Sequence, residues 1–225
     1  MTTRYADLIR RCETDPDVVG LVLSGSHARA MATEHSDFDV YVVLREHNGR
    51  WSSSRIPELD TIVMSVDDLA DTSVRWQRYS YRGAQVLMDR LDGRIAHLVR
   101  AQATLTPAES DNLTREQLDG YINFVYRASK SRRDGRPDLA KLDEIEAAPW
   151  FLETLFALHG RIRPYNKFLR WELDIHPLPA PWTAEYLVDA LTEQPSMLFA
   201  ELELAAREKG FGDVFDEWDD LSLLC

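Results

Sequence analysis

Only two cysteines occur in the 225 residues, Cys12 and Cys225, far apart and one of them terminal. Neither a disulfide framework nor a zinc cluster of paired cysteines is therefore expected, and a reducing compartment suits the chain. Long apolar runs are missing too: no stretch approaches the length of a membrane span. The opening MTTRYADLIRRCETDPD carries charge throughout and has no apolar core of signal-peptide length, so a soluble cytoplasmic protein with no membrane partner is expected. Basic residues are outnumbered, 26 against 38 acidic, for a formal charge of −12. That balance argues against a duplex nucleic-acid partner, which needs a basic face to neutralise phosphates. No internal repeat or low-complexity segment is present, and 44% apolar with 28% charged residues is ordinary globular composition.

The most informative residues lie in LSGSHARAMATEHSDFDVYVVL. Asp37 and Asp39 stand two apart on a predicted strand, so they project to one face while Phe38, Val40 and Val42 take the other. Two neighbouring carboxylates repel and need a counter-charge. Hard divalent cations with oxygen ligands supply one, and a pair of Mg²⁺ ions serves in-line displacement at phosphorus. Eleven residues earlier, Gly25-Ser26 falls where the strand Val18–Ser24 ends and a short helix, His27–Met31, is predicted. A glycine there lets backbone approach a phosphate, and the N–H groups of the following turn bind an anion. Arg29, one turn on, either reaches a phosphate oxygen or buttresses the carboxylates.

A third acid is expected from a neighbouring strand. In PELDTIVMS, Asp60 near the strand start is the best candidate, as a metal ligand and as the base for an acceptor hydroxyl, with Glu58 as its rival. His27 and His35 flank the motif without a second ligand at metal spacing, so loop or surface roles are expected for them.

Turn signals separate short apolar runs over Val18–Ser24, Phe38–Leu44, Leu59–Ser65 and Ala84–Asp89, about four strands, with helices over 2–12 and Val66–Tyr79. Beyond Gly93 the period is helical: Ile95–Ala103, Thr114–Arg132, Leu139–Gly160, Asn166–Asp174, Thr183–Thr192 and Met197–Lys209. Breakers such as Thr106-Pro107 and Asp134-Gly135-Arg136-Pro137 divide them. An α/β half followed by a helical half suggests two lobes with a cleft between them.

With these residues in view, GSHARAMATEHSDFDVYVV resembles the Gly-Ser, then Asp-x-Asp signature of nucleotidyltransferases in the DNA polymerase beta superfamily, and LDTIVMS resembles their third acidic strand. Order and size are most similar to the small adenylyltransferases that modify aminoglycosides. The resemblance implies an α+β chain. Residues 1–105 would form a polymerase-beta-like nucleotidyltransferase domain with a mixed sheet of four to five strands, and 106–225 a helical bundle. It further implies Mg²⁺-dependent transfer of a nucleoside monophosphate, most often from ATP, to a hydroxyl of a small acceptor, with pyrophosphate released.

By the same resemblance Gly25 and Ser26 match the triphosphate-gripping turn, Asp37 and Asp39 the metal ligands, and Asp60 the third acid. Lys167 in GRIRPYNKFLRWEL matches a triphosphate-binding lysine, with Tyr165 and Arg163 as helpers. Ala30 departs from the pattern, since many members carry glycine after the arginine. Asp143, Glu144 and Glu146 offer anionic contacts for a cationic acceptor, or form a solvated helix face. The alternative is a regulatory, antitoxin-type protein of the same fold that binds or nucleotidylates a partner protein. Monomer and homodimer both remain open.

Overall fold

Four apolar runs rich in valine and leucine need a sheet buried on both faces, and they get one. In the computed structural model, which describes residues 3–218 and 221–224, the strands are β1 (Val18–Ser24), β2 (Phe38–Leu44), β3 (Ser54–Ile56), β4 (Leu59–Ser65) and β5 (Gln85–Asp89). Their order across the sheet is β3-β4-β2-β1-β5. β2 and β4 run parallel, the remaining pairs antiparallel, so the sheet is mixed. The three-residue β3 escaped the apolar-run reading because its exposed Ser54 and Arg55 carry no hydrophobic signal.

Helix α1 (Thr3–Thr14) covers one face, setting Tyr5 and Cys12 against Leu21, Leu23, Val40 and Val42. Cys12 is a free, fully buried thiol, and burial pushes its pKa up to about 11, which leaves it inert at neutral pH. Cys225 lies outside the described residues. The opposite face carries Val19, Val22, Tyr41 and Val43 beneath α3 (Val66–Ala70) and α4 (Arg94–Gln102). Between β1 and β2, Gly25–Ala28 forms the single-turn α2.

The helix expected over Val66–Tyr79 is broken. A capping box between Ser65 and Asp68 starts α3 well, but the Asp71 side chain accepts from Ser73 N–H at 2.9 Å. That local turn competes with helical bonding and ends the helix. The chain resumes as a 3₁₀ segment, Arg75–Tyr81.

The chain divides into two units, Met1–Thr104 and Leu105–Cys225. The second is helical: α5 (Pro107–Arg133), α6 (Pro137–Leu158), α7 (Leu169–Ile175), α8 (Ala184–Glu193), α9 (Phe199–Glu208) and α10 (Gly212–Asp216). α5 begins seven residues before the expected Thr114. Thr106 and Glu109 form a capping box and Pro107 takes the first turn, where its missing N–H costs nothing. The short α10 follows Gly210 and went unread. The core of this helical unit gathers Tyr121, Ile122 and Val125 of α5, Phe151, Leu155 and Phe156 of α6, and Trp182, Leu187 and Phe199 from later segments. Gly120 lets α5 meet α6 closely, for a Cβ there would stand 2.8 Å from Trp150 Cδ2. Among the described residues no helix is long and apolar enough to cross a membrane.

Candidate active site

Strand register decides which acids meet. Asp39 is paired with Ser24 on β1 and with Asp60 on β4. Residues paired across a sheet share a face, so the Asp39 and Asp60 carboxylates lie side by side at one end of the sheet. Tyr41, two residues along the same face, registers both: burial first, and then the Asp39 and Asp60 charges, hold its phenol above the ordinary value, against a hydrogen bond to Ser80 that works the other way. Asp37 is half-buried just before β2, and among the described residues its side chain makes no hydrogen bond or ion pair. The Asp60 carboxylate is 3.8 Å from Arg55 Nε, whose side chain is exposed, a pair that solvent screens. Glu58 precedes β4, and its carboxylate lies 3.3 Å from the exposed Arg4.

Gly25 explains itself in the same geometry. Its φ is +66°, and a Cβ there would overlap the Asp39 carboxylate, standing 2.9 Å from Cγ and closer to Oδ2. Glycine thus supplies both the left-handed turn and the space into which Asp39 fits. Ser26 is buried behind it, its carbonyl accepting from Met31 N–H at 2.9 Å. The N–H groups opening α2 have no partner within the turn, as at any helix start.

Arg29 is 5% exposed and spends its guanidinium on backbone. Nη1 donates to Gly25 O at 2.8 Å, and Nη2 to Tyr79 O at 3.0 Å, Ser80 O at 3.3 Å and Arg82 O. These bonds hold neither a phosphate nor a carboxylate: they tie the glycine turn to the Arg75–Tyr81 segment and the residue after it. Ser24 Oγ donates to Ser80 O at 2.5 Å and Tyr41 Oη to Ser80 Oγ at 2.8 Å, so Ser80 is a node beneath the site that periodicity alone did not signal. From β5, Gln85 Nε2 donates to Ala28 O at 2.7 Å. Ala30 adopts φ +56°, the conformation for which the resemblance expects glycine.

The flanking histidines stay out. His27 stacks on Phe38, centroids 3.8 Å apart, and Phe38 on Tyr5 at 4.1 Å, a column that seats the start of β2. His35 is exposed beside Glu34.

The donor set fits a hard cation, being carboxylate oxygens alone on adjoining strands. Among the described residues no three His, Cys, Asp or Glu side chains gather closely enough to cage an ion by themselves. Magnesium seldom needs such a cage, since one or two carboxylates suffice when substrate phosphates and water complete its shell.

The model of the nucleotidyltransferase domain family matches residues 6–178, which include every acid of this face. The chain belongs to that family. A solved structure similar to it is a nucleotidyltransferase-like protein from Exiguobacterium sibiricum 255-15, 13% identical, spanning 96% of this chain and 79% of that one at a TM-score of 0.45. No curated protein matches the chain. Family membership supports nucleotide transfer in general, and the α+β fold accords with it.

In the helical unit, Lys167 is exposed, its Nζ 5.5 Å from the Phe168 ring centre. Tyr165 is exposed beside it, while Arg163 Nη2 donates to Asn166 Oδ1 at 3.1 Å. The acid-rich stretch of α6 is mostly committed: Asp143 pairs with Arg127 at 3.1 Å, and Glu144, 2% exposed, pairs with Arg132 and accepts from Ser196 at 2.7 Å. Two of its three acids are thereby neutralised, and only Glu146 faces solvent uncommitted.

Proposed function

We propose that this nucleotidyltransferase moves a nucleoside monophosphate, AMP from ATP, onto a hydroxyl of a small molecule and releases pyrophosphate, in the cytoplasm and with Mg²⁺. The observation that carries the reading is the seat of Asp39: pressed against Gly25, in register with Asp60, and two residues from the unengaged Asp37. Asp37 and Asp39 would hold the ions, with Asp60 adjoining, and Mg²⁺ when bound neutralises charge on the triphosphate and orients it. Gly25 and Ser26 present backbone N–H groups to phosphate oxygens. Asp60 accepts the proton of the acceptor hydroxyl, and its partial exposure beside Asp39 leaves room for that hydroxyl to approach. Lys167 is the residue that the family resemblance assigns to the triphosphate. An aminoglycoside-like acceptor rests on that resemblance alone, because Asp143 and Glu144 already have arginine partners.

The test is pyrophosphate release from ATP and Mg²⁺ across a panel of hydroxylated acceptors, with nucleotide binding followed by calorimetry. Chelation by EDTA, Asp37→Asn and Asp39→Asn should each abolish transfer while circular dichroism is unchanged. Absence of both turnover and nucleotide binding would sink the enzyme reading, and near-normal turnover in either variant would sink the ligand assignment.

A second reading, a regulatory protein that binds or nucleotidylates another chain, draws on Leu139, Leu142 and Ile145. These stand at helical spacing on α6 and are 40%, 59% and 58% exposed. Copurification of a stable partner chain that masks them would favour it.

A further inference from the structure

Within the helical unit, Pro149 and Leu152 of α6, Leu169 of α7, and Val188 and Leu191 of α8 line a half-open cavity of about 530 Å³ whose lining is mainly apolar. Three polar side chains, Arg163, the solvent-exposed Asn166 and Thr192, stand at its wall, and the bond between the first two fixes what they can offer. A guanidinium only donates, so the Asn166 atom that faces Arg163 Nη2 at 3.1 Å is the carbonyl oxygen. The amide nitrogen of Asn166 is therefore left to donate elsewhere, and among the described residues it has no partner.

Arg163 is itself underused. Its side chain is 21% exposed, and its counter-ion, Glu153, lies 3.9 Å away at the edge of ion-pairing range. Nε is buried with no hydrogen-bond partner among the described residues. Burial holds the guanidinium below its ordinary pKa, the mark of a cation whose lost hydration is poorly replaced. Thr192, also at the wall, donates to Val188 O at 2.9 Å and Asp189 O at 3.1 Å, so its proton is spent. An apolar chamber edged by two side chains with donors to spare, one of them cationic, favours a ligand with the opposite pattern.

We propose that this cavity binds a small molecule with an apolar body and a single carboxylate head, the head accepting from Arg163 and Asn166. The guanidinium fork matches a carboxylate, and its charge repels an amine in the same place. A cavity of this size holds a medium-length acyl chain or one substituted aromatic ring. The residues that line it all belong to the helical unit, and its test does not require the transfer reaction proposed for the first unit.

Calorimetric titration of the full chain with octanoate, 1-octanol and octylammonium, all below micelle-forming concentration, tests the proposal. Octanoate should bind about tenfold or more tightly than octanol, as a charge-assisted bond requires, and octylammonium should not bind. Val188→Trp, which fills the chamber, should abolish octanoate binding with circular dichroism unchanged. Arg163→Gln should bring octanoate down to the affinity of octanol and leave octanol binding unaltered, which a merely structural role for the arginine would not do. The proposal is overturned if octanoate fails to bind, if the three probes bind alike, or if Val188→Trp retains octanoate. Displacement of octanoate by Mg²⁺-ATP, with ATP binding lost in Val188→Trp, would assign the chamber to nucleotide and equally overturn it.

Discussion

Replacing Gly25 by alanine perturbs the site with one methyl group, and the structure gives the size of the effect. Two costs arise. At φ +66° an L-residue loses about 1–2 kcal/mol, of which about 0.4–1 is recovered because the unfolded chain is less free. The second cost is steric: the new Cβ would lie 2.9 Å from Asp39 Cγ, about 0.6–1.1 Å inside carbon–carbon contact distance. Relief requires Asp39 to leave its rotamer or the turn to back away, at about 1–3 kcal/mol. Gly25→Ala should therefore lower stability by about 2–4 kcal/mol in urea denaturation. It should cut transfer by about 100-fold, since displacements near 1 Å are that costly at reacting centres.

Gly49 is the control, with φ +71° and nothing within 4 Å of a Cβ. Gly49→Ala should cost only about 1 kcal/mol and spare activity. The double variant Gly25→Ala, Asp39→Ala removes the clashing carboxyl, and should be more stable than the sum of the single changes by about 1–3 kcal/mol. Wild-type activity in Gly25→Ala, or strict additivity in the double variant, would refute the argument that glycine is there to seat Asp39.

Two other substitutions probe strain and pH. Ala30→Gly relieves the φ +56° conformation and should raise stability by about 0.5–1 kcal/mol with transfer retained; a loss of stability would show that the alanine is not strained. His159 is held neutral, burial first and then Lys209 and Arg161 lowering its pKa to about 4 from an ordinary 6.5. The unfolded chain thus binds the extra proton first, so stability present above pH 6.5 is lost as pH falls towards 4. Discounted for partial exposure, the loss is about 1–2 kcal/mol, and His159→Gln should flatten that part of the stability profile. An unchanged pH slope in the variant would show that another group carries it.

Element positions in the first unit were readable because its strands are apolar runs bounded by turn residues; β1, β2 and β4 keep the bounds of the runs Val18–Ser24, Phe38–Leu44 and Leu59–Ser65. What escaped was set by local bonds that periodicity does not weigh. Asp71 capturing Ser73 N–H ended α3, and the Thr106–Glu109 box started α5 early. Buried polar nodes escaped as well. Ser80 reads as an ordinary surface serine, yet it accepts from Ser24, Arg29 and Tyr41, up to 56 residues away, and donates to Gln77 O.

Arg29 shows the same limit. Its place after a glycine turn admits a phosphate contact or a buttress for the carboxylates, whereas the carbonyls that occupy it are that of Gly25, one turn back, and those of Tyr79, Ser80 and Arg82 from a distant segment. For the acidic stretch of α6, sequence offered a cation-binding face or a solvated one. Packing instead delivered Arg127 and Arg132 from α5 to its acids.

Spacing alone placed Asp39 near the start of a strand and a glycine turn before it, because strand period and turn chemistry are local properties of the backbone. Tertiary structure decided that Asp60 rather than Glu58 stands beside Asp39, and that Gly25 leaves the space Asp39 occupies. It also decided that Arg163 and Asn166 meet at an apolar chamber. Strand register and side-chain packing bring together residues far apart in the chain, and no local pattern encodes which of them will touch.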